Sequence, residues 1–182
     1  MQFKLTKLQN LWTISLLILP MLSWGGINLD EGNGTLAGLG HARSHDFPVV
    51  AHAFKLTTSD PDSQGVRQVK LTVPVESITT ENFMRNAHMR MAMFNGEFPL
   101  ITYRAEILLP RIAAGDYDLA GVLSINGIER PYIFTITVTP VGEGWHATGT
   151  FLIKPTDFDM ALPGMGPMKV LDKVDLVLDL TF

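Results

Sequence analysis

Apolar and polar residues alternate with a period of two along most of this chain. Val69, Leu71, Val73 and Val75 alternate with Gln68, Lys70, Thr72 and Pro74. Ile101, Tyr103, Ala105, Ile107 and Leu109 alternate with Thr102, Arg104 and Glu106. The same rhythm runs through Tyr117 to Ile125, Tyr132 to Val138, Trp145 to Ile153 and Val170 to Phe182. Successive side chains of a strand point to opposite faces, so each set reads as a strand with one apolar face. Asn126-Gly127 predicts a hairpin, because both residue types tolerate positive φ. Gly115-Asp116 and Gly142-Glu143-Gly144 are further tight links, and links this short make neighbouring strands antiparallel. Two earlier strands are expected around Gly34 to His41 and Val49 to Thr57. The pattern predicts an all-β, antiparallel barrel of about eight strands, a number that can enclose one small ligand.

One segment departs from this rhythm. Over Thr80 to Phe94, Phe83, Ala87, Met91 and Phe94 recur at helical spacing, with Met84 alongside. The pattern predicts one short helix across a side of the barrel, capped by Thr79 or Thr80, with Glu81 in its first turn. Met89, Met91 and Met93 add a flexible apolar surface. Pro155 to Met168, with Pro163-Gly164-Met165-Gly166-Pro167, reads as loop.

Composition narrows the setting. The chain has 182 residues, 46% of them hydrophobic and 18% charged, which suits one packed domain. Its net charge of −4 leaves no basic excess for phosphate contacts, so a nucleic-acid partner is not expected. Lys4 and Lys7 precede an uncharged, mostly apolar run from Leu11 to Leu22, followed by Ser23 and Gly25. This is the layout of a cleavable export signal over residues 1–25, and the run is short for a membrane span. The mature domain would be residues 26–182, with 12 basic against 18 acidic residues, a net charge of −6. The chain has no cysteine, so disulfides, a lipoprotein anchor and cysteine-based metal sites are all excluded. No permanent membrane anchor is expected.

The residues that could carry chemistry are few. His41, His45 and His52 lie close in sequence, but two residues four apart on a strand stand about 13 Å apart. His41 and His45 could meet at a metal only if a turn such as Ser44-His45-Asp46 folds between them, and a metal-dependent hydrolase would use His41, His45 and His88; the alternative is a His45 that hydrogen-bonds within its own loop. No metal is expected. Arg85, His88 and Arg90 form the strongest polar cluster, with Arg85 and His88 neighbours on a helix. They read either as a mouth for a phosphate or other polar headgroup, with His45 a further candidate, or as a structural helix in which Arg85 meets Glu81 or backbone carbonyls. The inward-facing apolar candidates are Val73, Ile101, Tyr103, Leu123, Phe134 and Phe151, joined by Phe94 and Phe158. Periodicity leaves open whether they fill a core or line a cavity; Gly121 and Gly149 on inward faces would leave room. No Gly-x-Ser-x-Gly elbow, cysteine nucleophile or phosphate-binding glycine loop is present, and no catalytic residue is assigned.

At this point the sequence resembles the YceI-like family. The resemblance rests on Ala42-Arg43-Ser44-His45-Asp46-Phe47 with Phe54, on Val75-Glu76-Ser77-Ile78-Thr79-Thr80, and on Arg85-Asn86-Ala87-His88-Met89-Arg90. It continues through Phe98-Pro99-Leu100-Ile101-Thr102-Tyr103, Gly121 to Pro131, Thr156-Asp157-Phe158-Asp159-Met160 and Val170-Leu171-Asp172-Lys173-Val174. The number, order and spacing of these motifs carry it. It departs from the family in the short, glycine-rich stretch Ile27 to Gly40 and in Asp159, where the family has glycine. The resemblance implies a lipocalin-like barrel exported to the periplasm, and with no catalytic motif in the sequence it is not expected to be an enzyme. Its partner would be a long-chain hydrophobic molecule (a polyisoprenoid, quinone or fatty acyl compound) held inside, with no cofactor beyond that bound lipid and with a homodimer as a compatible assembly. The alternative is a filled barrel that binds another exported protein.

Overall fold

The computed structural model describes residues 26–93 and 96–182. Eleven strands form one antiparallel sheet: β1 (Asn28–Asp30), β2 (Gly34–Ala42), β3 (Asp46–Ala51), β4 (Lys55–Thr58), β5 (Val66–Pro74), β6 (Ile78–Thr79), β7 (Leu100–Leu108), β8 (Gly115–Ile125), β9 (Ile128–Val141), β10 (Gly144–Ile153) and β11 (Val170–Thr181). Their spatial order is β1-β4-β5-β7-β8-β9-β10-β11-β2-β3-β6. The long strands β7 to β10 run as the meander that the short links require, and β11 extends it after the longer segment 154–169. The Asn126-Gly127 hairpin has positive φ at both turn residues, 54° and 74°.

The strand count exceeds the expected eight for a local reason. The stretch Val49 to Thr57 is two strands, because the chain turns at His52, whose amide donates to the Ser77 carbonyl, and buries Phe54. β1 and β6 are short additions at the two ends of the order. The ladder is therefore a curled half-barrel with a seam between β3-β6 and β1-β4. At the seam the Ser77 hydroxyl donates to the Ala53 carbonyl, and the 3-10 turn Val75–Ser77 carries the chain from β5 to β6. Edge strands of two and three residues offer little to a strand from another molecule.

The apolar sets read from the alternation point into one core. Leu36, Val69, Val73, Tyr103, Leu119, Leu123, Phe134, Leu178 and Leu180 are all buried in a single cluster. At the end of the barrel marked by Gly115 and Gly142, Arg67 is also buried, and its guanidinium donates to the carbonyls of Leu109 and Ser59. The other end carries α1 (Phe83–Ala92) and the segment 154–169, which contains the 3-10 turns Pro155–Phe158 and Gly166–Met168.

Two expectations for α1 are corrected. Its cap is Asn82, whose side chain accepts from the Arg85 amide, while Thr80 donates to the Asn86 side chain from both its amide and its hydroxyl. Glu81 stands before the cap at φ 56°. The helix also presents a different face. Phe83, Met84 and Met91 point to solvent, whereas Arg85, Met89, Ala92 and Met93 point inward. Methionines on both sides of the helix leave two apolar faces, so spacing alone cannot choose the buried side. The Arg85 and Asn86 contacts choose it.

Candidate functional site: an apolar cavity with an arginine at its mouth

The barrel is hollow towards its helix end. A cavity of about 210 Å³ is lined by β2, β3, β4, β5, β7, β8, β9, β10 and β11, by the inner face of α1, and by Met160 to Pro163. Val73, Ile101, Tyr103, Leu123, Phe134 and Phe151 all line it. The alternation therefore places these six together, and the side chains form a wall instead of meeting across the axis. Part of that wall is aromatic: Phe134 stands 4.5 Å from Tyr103 and 4.3 Å from Phe151, ring centre to ring centre. The Tyr103 hydroxyl donates to the Leu119 carbonyl, and burial pushes its pKa up to about 12. The phenol thus stays neutral and its proton is already committed.

Phe158 is fully buried but lies outside the cavity wall, 6.1 Å from the Tyr132 ring, with its carbonyl accepting from the Asn126 side chain. It packs beside the Asn126-Gly127 hairpin, next to the cavity and not in it. Phe94 lies outside the described residues, as does the expected export signal over residues 1–25. Gly121 and Gly149 do not leave space for a ligand. A Cβ on Gly121 would meet the Tyr103 ring at 2.7 Å, and one on Gly149 would meet the Phe151 ring at 2.9 Å. These glycines make room for the aromatic wall.

The polar lining is confined to the helix end. Thr80 is satisfied by Asn86. Arg85 is half-buried, with its guanidinium carbon 4.0 Å above the Phe47 ring centre. One of its nitrogens donates to the Thr80 carbonyl and another to His45 Nε2, 3.3 Å away, while His45 Nδ1 lies 3.0 Å from the Ser44 hydroxyl. Arg85 and His45, taken from distant parts of the sequence, are thus one group, and no ion pair joins Arg85 to Glu81. Arg90 is turned away: it donates to the Glu76 carbonyl. His88 is exposed on the helix. Sequence reasoning missed Phe47, Met89 and Met93 as lining residues. The signal for Phe47 was its place in the His45-Asp46-Phe47 motif.

The histidines are dispersed. His41 lies on the outer face between Asp46 at 2.6 Å and Asp175 at 2.9 Å, and His52 meets Thr79. The Asp46 and then the Asp175 hydrogen bonds raise the His41 pKa, while Lys173 and then His41 lower that of Asp175. Among the described residues no three His, Asp or Glu side chains converge as a metal would require.

The sequence profile of the YceI-like domain matches residues 31–182. The chain belongs to the YceI-like family, and its all-β, lipocalin-like barrel is that family's fold. No curated protein sequence matches it. Among solved structures it is similar to Burkholderia cenocepacia BcnA, at 17% identity and a TM-score of 0.66, covering 81% of this chain and 95% of that one. A polyisoprenoid binding domain from Saccharophagus degradans, implicated in plant cell wall breakdown, has 16% identity and a TM-score of 0.64, covering 85% and 97%. The Campylobacter jejuni YCEI protein has 17% identity and a TM-score of 0.56, covering 74% and 82%. Among the described residues no helix is long and apolar enough to cross a membrane.

Proposed function

We propose that this protein is a periplasmic carrier that holds the hydrocarbon chain of an amphiphile (a polyisoprenoid, quinone or fatty acyl compound) in the barrel cavity, with the polar end at Arg85 and His45. The observation that carries this is the distribution of polarity. Apart from Thr80, Tyr103 and Arg85 the lining is apolar, and the one charged side chain in it sits at the helix end. Burial of a hydrocarbon chain is worth about 0.8 kcal/mol per CH₂ and needs no polar partners. The guanidinium fork, held on Phe47, suits a phosphate or carboxylate. The polyisoprenoid-binding neighbour supports the same ligand class.

Size sets a limit. A dry apolar cavity of about 150 Å³ holds benzene. The cavity of about 210 Å³ here takes a short stretch of chain as it stands. A longer chain requires Met89 and Met93, the most adaptable lining residues, to change rotamer. Export, cleavage after Gly25 and a domain over 26–182 belong to this proposal. So does a role in binding without catalysis: the Thr80 and Tyr103 hydroxyls are committed to protein acceptors.

Native mass spectrometry of protein purified from its own host, followed by solvent extraction, tests the reading. An extracted amphiphile, and loss of a dansyl-labelled fatty acid on Ile136→Trp, which fills the cavity, are expected. Bare protein in repeated preparations together with no uptake of the labelled acid would sink it.

A further inference from the structure

The outer side of the cavity mouth carries more apolar surface than packing among the described residues explains. Phe83 is 86% exposed, Met84 66% and Met91 74%, all on the face of α1 turned away from the barrel. Across the mouth, Met165 is 87% and Met168 58% exposed. The two groups belong to one rim. Arg85 on α1 reaches His45, His45 meets Ser44, the Ser44 hydroxyl lies 3.9 Å from the Met168 sulfur, and the Arg43 amide donates to the Lys169 carbonyl. Both groups adjoin residues that line the cavity, Met89 and Met93 on one side and Met160 to Pro163 on the other.

Charge says what meets this rim. The chain as a whole is acidic, at −4. Over residues 83–93 it has Arg85, His88 and Arg90 and no carboxylate, and Arg43 and Lys169 are exposed beside Met168. Glu81 just before the helix, Asp46 held by His41, and the exposed Glu97, Asp157 and Asp159 are acids at this end of the barrel, and none of them lies on α1. A short helix with basic residues and an outward apolar stripe is the form that lies in a membrane interface, its apolar side sunk into the boundary of headgroups and chains. We propose that the mouth rim, α1 together with Met165 and Met168, docks on the surface of a bilayer that contains anionic lipid. The stripe enters the interface, Arg90, Arg43 and Lys169 beside it meet the headgroups while Arg85 stays over Phe47, and the cavity opens towards the hydrocarbon layer. This contact needs nothing from the identity of the cargo, so the two readings stand or fall separately.

The test is sedimentation with vesicles of phosphatidylethanolamine and phosphatidylglycerol, compared with vesicles of phosphatidylcholine alone. Binding to the first, weaker binding to the second, and weakening by salt are expected. The variant Phe83→Ser, Met84→Ser, Met91→Ser, Met165→Ser should lose about tenfold or more in vesicle partitioning. It should keep its thermal midpoint and its uptake of the dansyl-labelled fatty acid, because none of the four lines the cavity. No binding to anionic vesicles overturns the proposal. So does equal binding by the variant, which would place the contact elsewhere, for example in the run Leu11 to Leu22. A dimer that the same four substitutions dissociate would show a second copy of the chain, not a bilayer, on the rim.

Discussion

Two arginines point into this barrel, and they do opposite work. Arg67, on β5, is 3% exposed, and its donors go to the carbonyls of Ser59 and Leu109. Arg85, on α1, is half-buried over Phe47, and only part of its fork is used by Thr80 and His45. A buried cation whose hydrogen bonds end on backbone carbonyls is a closure: it joins the segments on either side of β5 and offers nothing to a ligand. A cation with free donors facing an apolar void is open to a ligand, which is the role proposed above for Arg85. The residue type is the same, and the difference lies in what already occupies its hydrogen bonds.

The comparison can be broken most directly at Arg67. Arg67→Ala leaves two backbone carbonyls without a partner and empties a packed volume, so a loss of about 3 kcal/mol is expected. Chemical denaturation checks it; a loss no greater than that of Arg85→Ala would remove the distinction. Arg85→Ala should instead reduce affinity for a fatty acid about tenfold while leaving the affinity for the uncharged alcohol of the same chain unchanged. Fluorescence titration of both ligands checks this, and an equal loss for both would mean that Arg85 only packs.

A smaller effect lies at the helix end. Asp159 is in the left-handed region, at φ 52°. Asp159→Gly should stabilise by about 0.5 kcal/mol, since glycine takes this conformation without steric cost. Thermal unfolding reads it, and destabilisation would show that the Asp159 side chain holds the end in place.

The smallest effect expected is the pH dependence of His41. Its raised pKa gives stability that is complete below its ordinary value of 6.5 and is lost as pH rises through the raised value. Asp175, lowered by Lys173 and by His41, contributes above 3.8, and that contribution fades as pH falls through its lowered value. The destabilisation caused by His41→Asn should therefore be larger near pH 6 than near pH 9, as measured by thermal midpoints. A gap that does not change with pH would detach His41 from the two carboxylates.

The strands were legible because one face is buried, and a period of two survives every strand of the meander. The edges were less so: nothing in the alternation from Val49 to Thr57 marks the turn at His52, which depends on Ser77 far along the chain. Six of the cavity residues could be read for the same reason as the strands. The face of α1 could not, because Met84, Met89, Met91 and Met93 spread apolar character around it and tertiary contacts of Arg85 and Asn86 fix its rotation. The inward glycines misled because the space over them is taken by rings on their own wall. The pairing of Arg85 with His45 joins residues forty positions apart and had no signature in spacing.

In a closed barrel, strand number and shear set the circumference. Here β3 and β4 are joined by three residues at one end and carry no ladder between them. No rung of the sheet fixes the girth at that border, where the contacts are the Ser77 bonds to Ala53 and His52. For the carrier proposed above, amides along this border should therefore exchange with solvent sooner when the interior is loaded than when it is vacant.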